Sequence, residues 1–292
     1  MTELLQFLAL GILTGGVYAL LAAGLGLIFG VLRVINFAQA DFMMLAMFLA
    51  YVLWSGPSID PFVGIPLAFL VFLVIGMGFH RLLLGRVTGA RENHEAQVVL
   101  TLGAGLIFQN AILIAFDASP RLIVPPYARD ALDVGPLQIG ATHLISFGVA
   151  VVVAVGLFLF LQRTPLGRAI RGTAEDWEAA TYMGIDIDRA QRIAFGLGIA
   201  LTAVGGIALS SFQPLDPFVG LDFIVIMFAA VVLGGLGSVG GAFAGGLIIG
   251  IVEAVSQVWT AAALSMVWVF GIFVLILLVR PQGLFGKAER TL

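Results

Sequence analysis

Few residues in this 292-residue chain can do chemistry. Two carboxylic acids interrupt otherwise apolar stretches: Asp41, close behind Asn36 and Gln39, and Glu253, one helical turn before Gln257. An ionisable group at membrane depth is costly and is by default a functional candidate, either as a proton or cation site or as part of a polar path. Glu253 and Gln257 share a helical face, which suits path or gate lining as well as an interhelical hydrogen bond. Asn36 and Gln39 can share a face too. Alternatively, Asn36 caps a helix with Gln39 as its box partner, leaving Asp41 near the membrane surface opposite Arg33. Gln109 and Asn110 sit inside another apolar stretch, where amides either line a path or tie helices together at about 1 kcal/mol or less.

Covalent and hydrolytic chemistry has no foothold. A phosphate-binding P-loop needs G-x-x-x-x-G-K followed by Ser or Thr, yet the lone lysine, Lys287, precedes Ala288. His80, His94 and His143 are scattered, without the H-E-x-x-H spacing of a metallopeptidase. "GLGSVGG" places Leu236 where a nucleophile elbow needs its first Gly. The absence of cysteine removes thiolate chemistry and disulfides. No cofactor, metal or nucleic-acid partner is expected in this chain, and a net charge of −3 is too small to argue for a partner.

The elements that position these residues follow from hydropathy. Mean hydropathy is +1.11 and only 11% of residues are charged, against about 25% in ordinary soluble domains. Uncharged stretches cover Leu4–Leu32, Phe62–Phe79, Ala96–Phe116, Val134–Leu161, Ile193–Leu215, Phe223–Val252 and Ala254–Val279, and Val34–Trp54 is a further candidate. About 20 apolar residues cross about 30 Å of hydrocarbon. The pattern predicts an all-α, polytopic helical bundle with about eight to ten transmembrane segments, embedded in lipid. The first stretch lacks a basic leader and is expected to stay as a span. "GGLGSVGGAFAGG" (Gly234–Gly246) divides Phe223–Val252, so that Phe223–Leu236 reads as a half-helix that enters the membrane and turns. Its glycines Gly234, Gly235, Gly237, Gly240, Gly241, Gly245 and Gly246 are expected to let backbones approach closely.

Basic residues set the threading. Placing the loops around Arg33, Arg81–Arg91 and Arg163–Arg192, with the tail from Arg280, on the cytoplasmic side collects 12 of the 14 basic residues, Lys287 and Arg290 included. Arg121 and Arg129 fall outside, among loops holding Asp60, Asp117, Asp130, Asp133, Asp216 and Asp222.

The window Arg163–Arg192 is the most charged part of the chain and contains "GRAIRGTAEDWEAATYMGID". Pro165 and Gly167 break the preceding span. Thr173 reads as an N-cap with Asp176 as its box partner. Glu175, Asp176 and Glu178 suit the positive end of a helix dipole, and Gly184 is a natural stop. These signals predict one short helix over Ala174–Met183, with Trp177, Ala180 and Thr181 on one face. A helix this short is marginal alone. It either lies on lipid headgroups or docks on a cytoplasmic protein.

"PLGRAIRGTAEDWEAATYMGIDIDRA" resembles the cytoplasmic EAA-type loop of ATP-binding-cassette importer permeases, specifically those of the branched-chain amino acid (LivH) family. "YALLAAGLGLIFGVLRVINFAQADFMM", "AVVLGGLGSVGGAFAGGLIIGIVEA" and "LVRPQGLFG" carry the same resemblance, from Tyr18 to Gly286. It implies an ABC type II-like importer permease, a single transmembrane domain over residues 1–292 with its coupling loop at about 163–192. In such permeases the short helix sits in a groove of an ATPase. Thr173, Glu175, Asp176, Trp177, Glu178 and Gly184 would thus pass nucleotide-driven closure to the spans. The implied partners are a second homologous permease (LivM-like), two cytoplasmic ATPase subunits (LivG- and LivF-like) that hold ATP and Mg, and an extracytoplasmic solute-binding protein. The implied place is a bacterial inner membrane, with the coupling loop and C-terminus cytoplasmic. The implied cargo is a branched-chain amino acid or a related small solute, since similar permeases carry other amino acids, urea, amides or organic acids. Where the family commonly has a His-Gly-Glu-like run after "INFA", this chain has Gln39, Ala40 and Asp41, a departure that bears on cargo if that region forms path or gate. The rival reading is an ion-coupled secondary transporter using Asp41 or Glu253 between broken helices; it leaves the capped helix unexplained. A structural membrane adaptor would explain that helix but not the polar residues within spans.

Overall fold

Hydrocarbon offers no hydrogen bonds, so each apolar run must satisfy its own backbone, and helices are the result. The computed structural model describes residues 2–88, 94–135, 137–261, 264–280 and 282–286. Arg91, Lys287 and Arg290 lie outside the described residues. Helix α1 spans Thr2–Leu32, α2 Gln39–Ser55, and α3 Pro61–Phe79, which continues through one π turn (His80–Leu84) into the short α4 (Gly85–Thr88). Then come α5 (His94–Phe116), strands β1 (Ala131–Val134) and β2 (Leu137–Gly140), α6 (Ala141–Arg163), α7 (Pro165–Glu175) and α8 (Trp177–Tyr182). The chain goes on through α9 (Ile187–Ser210), α10 (Val219–Gly234), α11 (Val239–Ser256) and α12 (Ser265–Val279). Among the described residues six helical stretches are long and apolar enough to cross a membrane, and α2, α10 and α12 are shorter apolar helices. This is the polytopic helical bundle that hydropathy predicts.

Several boundaries differ. The start of the expected span Val134–Leu161 is an antiparallel hairpin, Ala131 facing Gly140 and Val134 facing Leu137. Leu137 and Ile139 make a strand look like membrane helix in a hydropathy window. The stretch Ala254–Val279 is likewise not one helix, because α11 runs on to Ser256 and α12 begins only at Ser265.

Helices α1 and α9 are enclosed by the others, whereas α3, α5 and α6 present most of their surface outward. Van der Waals packing of small residues drives association within lipid, and the α1–α11 seam illustrates it. The two run antiparallel, with Gly15 on Gly250, Ala19 on Gly246 and Gly30 on Gly237; a Cβ on Gly250 or Gly246 would enter the opposite backbone. Gly234 and Gly241 meet in the same way, as do Gly245 and Ala230. Gly235 (φ +103°) and Gly237 (φ +85°) instead supply left-handed turns between α10 and α11. Gly240 departs from expectation, having open space around it.

The segment after α12 returns to this turn. Leu284 N–H donates to Leu233 O (2.8 Å) and Phe285 N–H to Gly234 O (3.1 Å), satisfying carbonyls that the end of α10 leaves unpaired. Gly283 (φ +77°) lies against Gly235, with no room for a side chain. The two Gly-containing motifs "GGLGSVGG" and "RPQGLFG" are thus halves of one packing unit.

Two helices begin inside the bundle rather than at its surface. At the start of α2 Gln39 donates to Gly198 O and Thr202 Oγ1, midway along α9. Gly198 also abuts Gly24, eight residues short of the end of α1. The chain therefore turns back into the protein after Arg33. Gly220, in the first turn of α10, lies against Ala40 and Asp41. Asp222 accordingly belongs to α10 and not to a surface loop.

Gly246→Leu is expected to lower the unfolding temperature of the detergent-purified protein by several degrees, the overpacking cost being about 1–3 kcal/mol. Gly240→Leu should leave it unchanged in the same thermal scan.

Candidate functional site

The turn back after Arg33 carries the polar residues into the protein. Asn36 and Gln39 are fully buried, and Asn36 Nδ2 donates to Gln39 Oε1 at 2.9 Å. They do not form a capping box: the N-cap position of α2 is Ala38, which has no side-chain cap. Gln39 uses its own amide hydrogens on α9, at Thr202 Oγ1 (2.5 Å) and Gly198 O (3.3 Å). Asp41 is not at the membrane surface opposite Arg33. It is buried, and its Oδ1 accepts from Gln109 Nε2 of α5 at 2.8 Å. Among the described residues no basic side chain meets this carboxylate, and the Cα hydrogens of Gly105 and Gly220 let two backbones crowd it. Thr101 Oγ1, also buried, accepts from Phe37 N–H at 3.4 Å. The result is a polar seam across α2, α5 and α9 at the point where α2 and α10 begin. Thr101 and Thr202 were not legible as members, because threonine's hydroxyl commonly bonds its own helix, as both also do here.

The other candidates lie apart from this seam. Glu253 stands near the far end of α11 from the Gly-rich turn, where it interacts with Tyr18 of α1. Gln257 is the C-cap residue of α11. Neither is brought to Asp41. Gln109 ties α5 to α2, whereas its neighbour Asn110 points outward, its Nδ2 donating to Leu106 O of its own helix at 2.7 Å.

On one face of the bundle, the charged window forms two helices rather than one. Thr164 caps α7 by accepting from Gly167 N–H (2.9 Å), with Pro165 at the first helical position. Thr173 is therefore no N-cap; it is buried within α7 and donates to Ala169 O. The backbone of Asp176 (φ −154°, ψ 105°) breaks the helix, and its Oδ1 caps α8 by accepting from Ala179 N–H at 2.9 Å. Gly184, at φ +78°, ends α8 as expected. Gly184 N–H donates to Thr181 O and Ile185 N–H to Ala180 O, the paired bonds of a Schellman stop. Ala180 faces inward. Trp177, Glu178 and, most of all, Tyr182 (88% exposed) and Met183 (84%) face out. Of the three residues expected on one face only Ala180 is buried; Trp177 and Thr181 are exposed, and Tyr182 and Met183, which the spacing did not single out, are exposed beside them.

The opposite face is tied by two clamps. Asp60 caps α3 through Phe62 N–H (2.9 Å) and accepts from the Tyr127 hydroxyl (2.6 Å). Burial first, and Asp60 beside it, raises the Tyr127 pKa above its ordinary value, so the phenol stays a donor. Arg121 donates to Tyr51 Oη (2.9 Å) and Phe116 O (2.7 Å), lies over both rings, and pairs through its backbone with Leu215.

Comparison with known proteins identifies the family. The family model described as "Branched-chain amino acid transport system / permease component" matches residues 7–279. The chain is 30% identical over 298 residues to the high-affinity branched-chain amino acid transport system permease protein BraD of Pseudomonas aeruginosa, covering 98% of this chain and 96% of BraD. It is 28% identical over 302 residues to the corresponding permease LivH of Escherichia coli, with the same coverage. A probable LivH of Methanocaldococcus jannaschii is 29% identical over 285 residues, covering 94% of this chain and 90% of its own. No solved structure matches.

Gln109→Leu strands the Asp41 carboxylate and should cost about 1–3 kcal/mol, the penalty for a buried unpaired polar group. Asp41→Leu combined with Gln109→Leu should recover much of it, read as thermal unfolding across the double-mutant cycle.

Proposed function

The chain belongs to the family of branched-chain amino acid transport system permease components, and from that premise we propose that it is the membrane subunit of an ATP-binding-cassette importer. It carries branched-chain amino acids or related small solutes inward. The observation that carries the reading is α8: a short helix fixed at both ends by Asp176 and Gly184, presenting Trp177, Glu178, Tyr182 and Met183 away from the bundle. A span-rich permease has no use for such a projection unless something docks on it. The sequence holds no P-loop, so the energy comes from separate ATPase subunits.

In this reading the α8 face is cytoplasmic, in a bacterial inner membrane. The ATPases grip the exposed side chains of α8, while Thr173 and Glu175, in α7 next to it, lead into the bundle through contacts with α1 and α9. Closure of the ATPases thereby displaces helices that bear the seam of Asn36, Gln39, Asp41 and Gln109, which flanks the solute path. A solute-binding protein delivers cargo to the face with the Asp60 and Arg121 clamps, and a second permease completes the channel.

The test is uptake by the transporter reconstituted with its ATPases and binding protein. Trp177→Ala, Tyr182→Asp or Gly184→Pro should each lower ATP-driven uptake at least tenfold while leaving insertion and yield intact. Uptake should persist when an ionophore collapses ion gradients. Gradient-dependent uptake that ignores ATPase inactivation would instead favour the ion-coupled alternative through Asp41.

A further inference from the structure

Between the ends of α3 and α6 nearest the clamp face, the outward surface is not filled. A groove of about 350 Å³ opens there, lined by Phe62, Ile65 and Pro66 of α3 and by Gly148, Val149 and Val152 of α6. Every lining residue is apolar. The two helices share almost no direct contact, and Gly148 keeps the gap open, since a Cβ there meets nothing within 4 Å. Chemistry and size narrow the occupant. Water gains nothing from a wall without donors or acceptors. A transmembrane helix is about 10 Å across, so even the stretch alongside Ile145–Val153, about 12 Å, takes up roughly 900 Å³ and is too thick to lie in the groove. An extended hydrocarbon chain does enter, and it restores the dispersion contacts that a bare gap forgoes.

The clamp end of the groove carries groups suited to a lipid headgroup. Tyr127 packs on Phe62 with ring centroids 6.2 Å apart, and its hydroxyl donates to Asp60. A tyrosine with an apolar ring and a polar tip belongs at the membrane–water interface. The turn that holds it, Pro126–Arg129, also packs against α6. Arg129, the last residue of that turn, is exposed and has no side-chain partner among the described residues. Asp130 follows it and is exposed as well.

We propose that this groove is a phospholipid site: one acyl chain lies along Gly148 and Val152 against Phe62 and Pro66, and the phosphate of the same molecule meets the Arg129 guanidinium. Arginine pairs with phosphate oxygens through two parallel N–H donors. Asp130 beside it favours a headgroup that also carries an ammonium, so phosphatidylethanolamine is the lipid this surface fits. The bound chain supplies the packing that α3 and α6 do not supply to each other. The site requires only that the chain be embedded in a bilayer; it is independent of the direction and the energy source of transport.

The test uses the full-length protein in nanodiscs, alone and assembled with its partner subunits, with phosphatidylethanolamine that carries a photoactivatable diazirine on one acyl chain. Crosslinks should fall on Phe62–Pro66 and Ile145–Val153 at least fivefold more often than on the open α12 face around Val274 and Leu278. Crosslinks spread evenly over these faces overturn the site. Crosslinks that vanish on assembly also overturn it, because a neighbouring subunit then fills the groove. Gly148→Trp should lower the groove crosslinks at least fivefold. Gly156→Trp, at another open glycine of α6 that does not line the groove, should leave them unchanged and so controls for insertion and folding. Equal crosslinking in both variants, or equal loss, counts against the site. Arg129→Gln should weaken retention of phosphatidylethanolamine about tenfold by native mass spectrometry, with partial recovery in Arg129→Lys. Unchanged retention in Arg129→Gln overturns the headgroup contact.

Discussion

Backbone hydrogen bonding inside hydrocarbon is the constraint on which the rest of this structure depends. Where a helix runs from face to face, as α1, α6 and α9 do, the constraint is met within the helix. Where one stops short, partners must be supplied from elsewhere. The start of α2 is surrounded by Gln39, Asn36, Thr101 and Thr202, and the end of α10 by the segment that follows α12. Polar residues in an oily sequence therefore mark places where helices are interrupted. Those are also the places where a membrane protein can hold a solute without exposing bare backbone to lipid.

The glycines serve the same economy at helix contacts. α1 is long and enclosed because Gly15 and Gly30 let α11 lie directly on it, with Gly24 doing the same for α9. Those contacts make one stiff unit of the central helices. The outer helices are attached differently: α5 is held to α2 by Phe108 on Phe42, by Phe116 on Phe48 and by one amide–carboxylate bond.

Much of this was legible in the sequence, and the failures have physical reasons. Uncharged length located the spans, and the Gly-rich run located the turn between α10 and α11. Gly184 marked its stop because only a residue tolerant of positive φ fits there. Thr173 was misread as a cap because a Thr three residues before an acid has the same pattern whether it starts a helix or lies inside one. The true caps, Thr164 and Asp176, have Gly167 and Ala179 three residues on, so the capping-box pattern passes over them. The inward start of α2 was hidden for another reason. Hydropathy sums residues without regard to direction, so a chain that folds back into the protein scores like one that crosses it. Asn36, Gln39 and Asp41 were the visible sign, and their partners Gln109 and Thr202 come from helices far along the chain.

The pairing of Leu284 and Phe285 with the end of α10 also bears on how the protein is made. Translation produces α10 well before the residues that complete it. Until α11 and α12 have left the ribosome and entered the bilayer, the carbonyls of Leu233 and Gly234 have only water or headgroups to bond. The end of α10 is therefore completed only after the last helix is in place, and the corner closes as the final step of assembly.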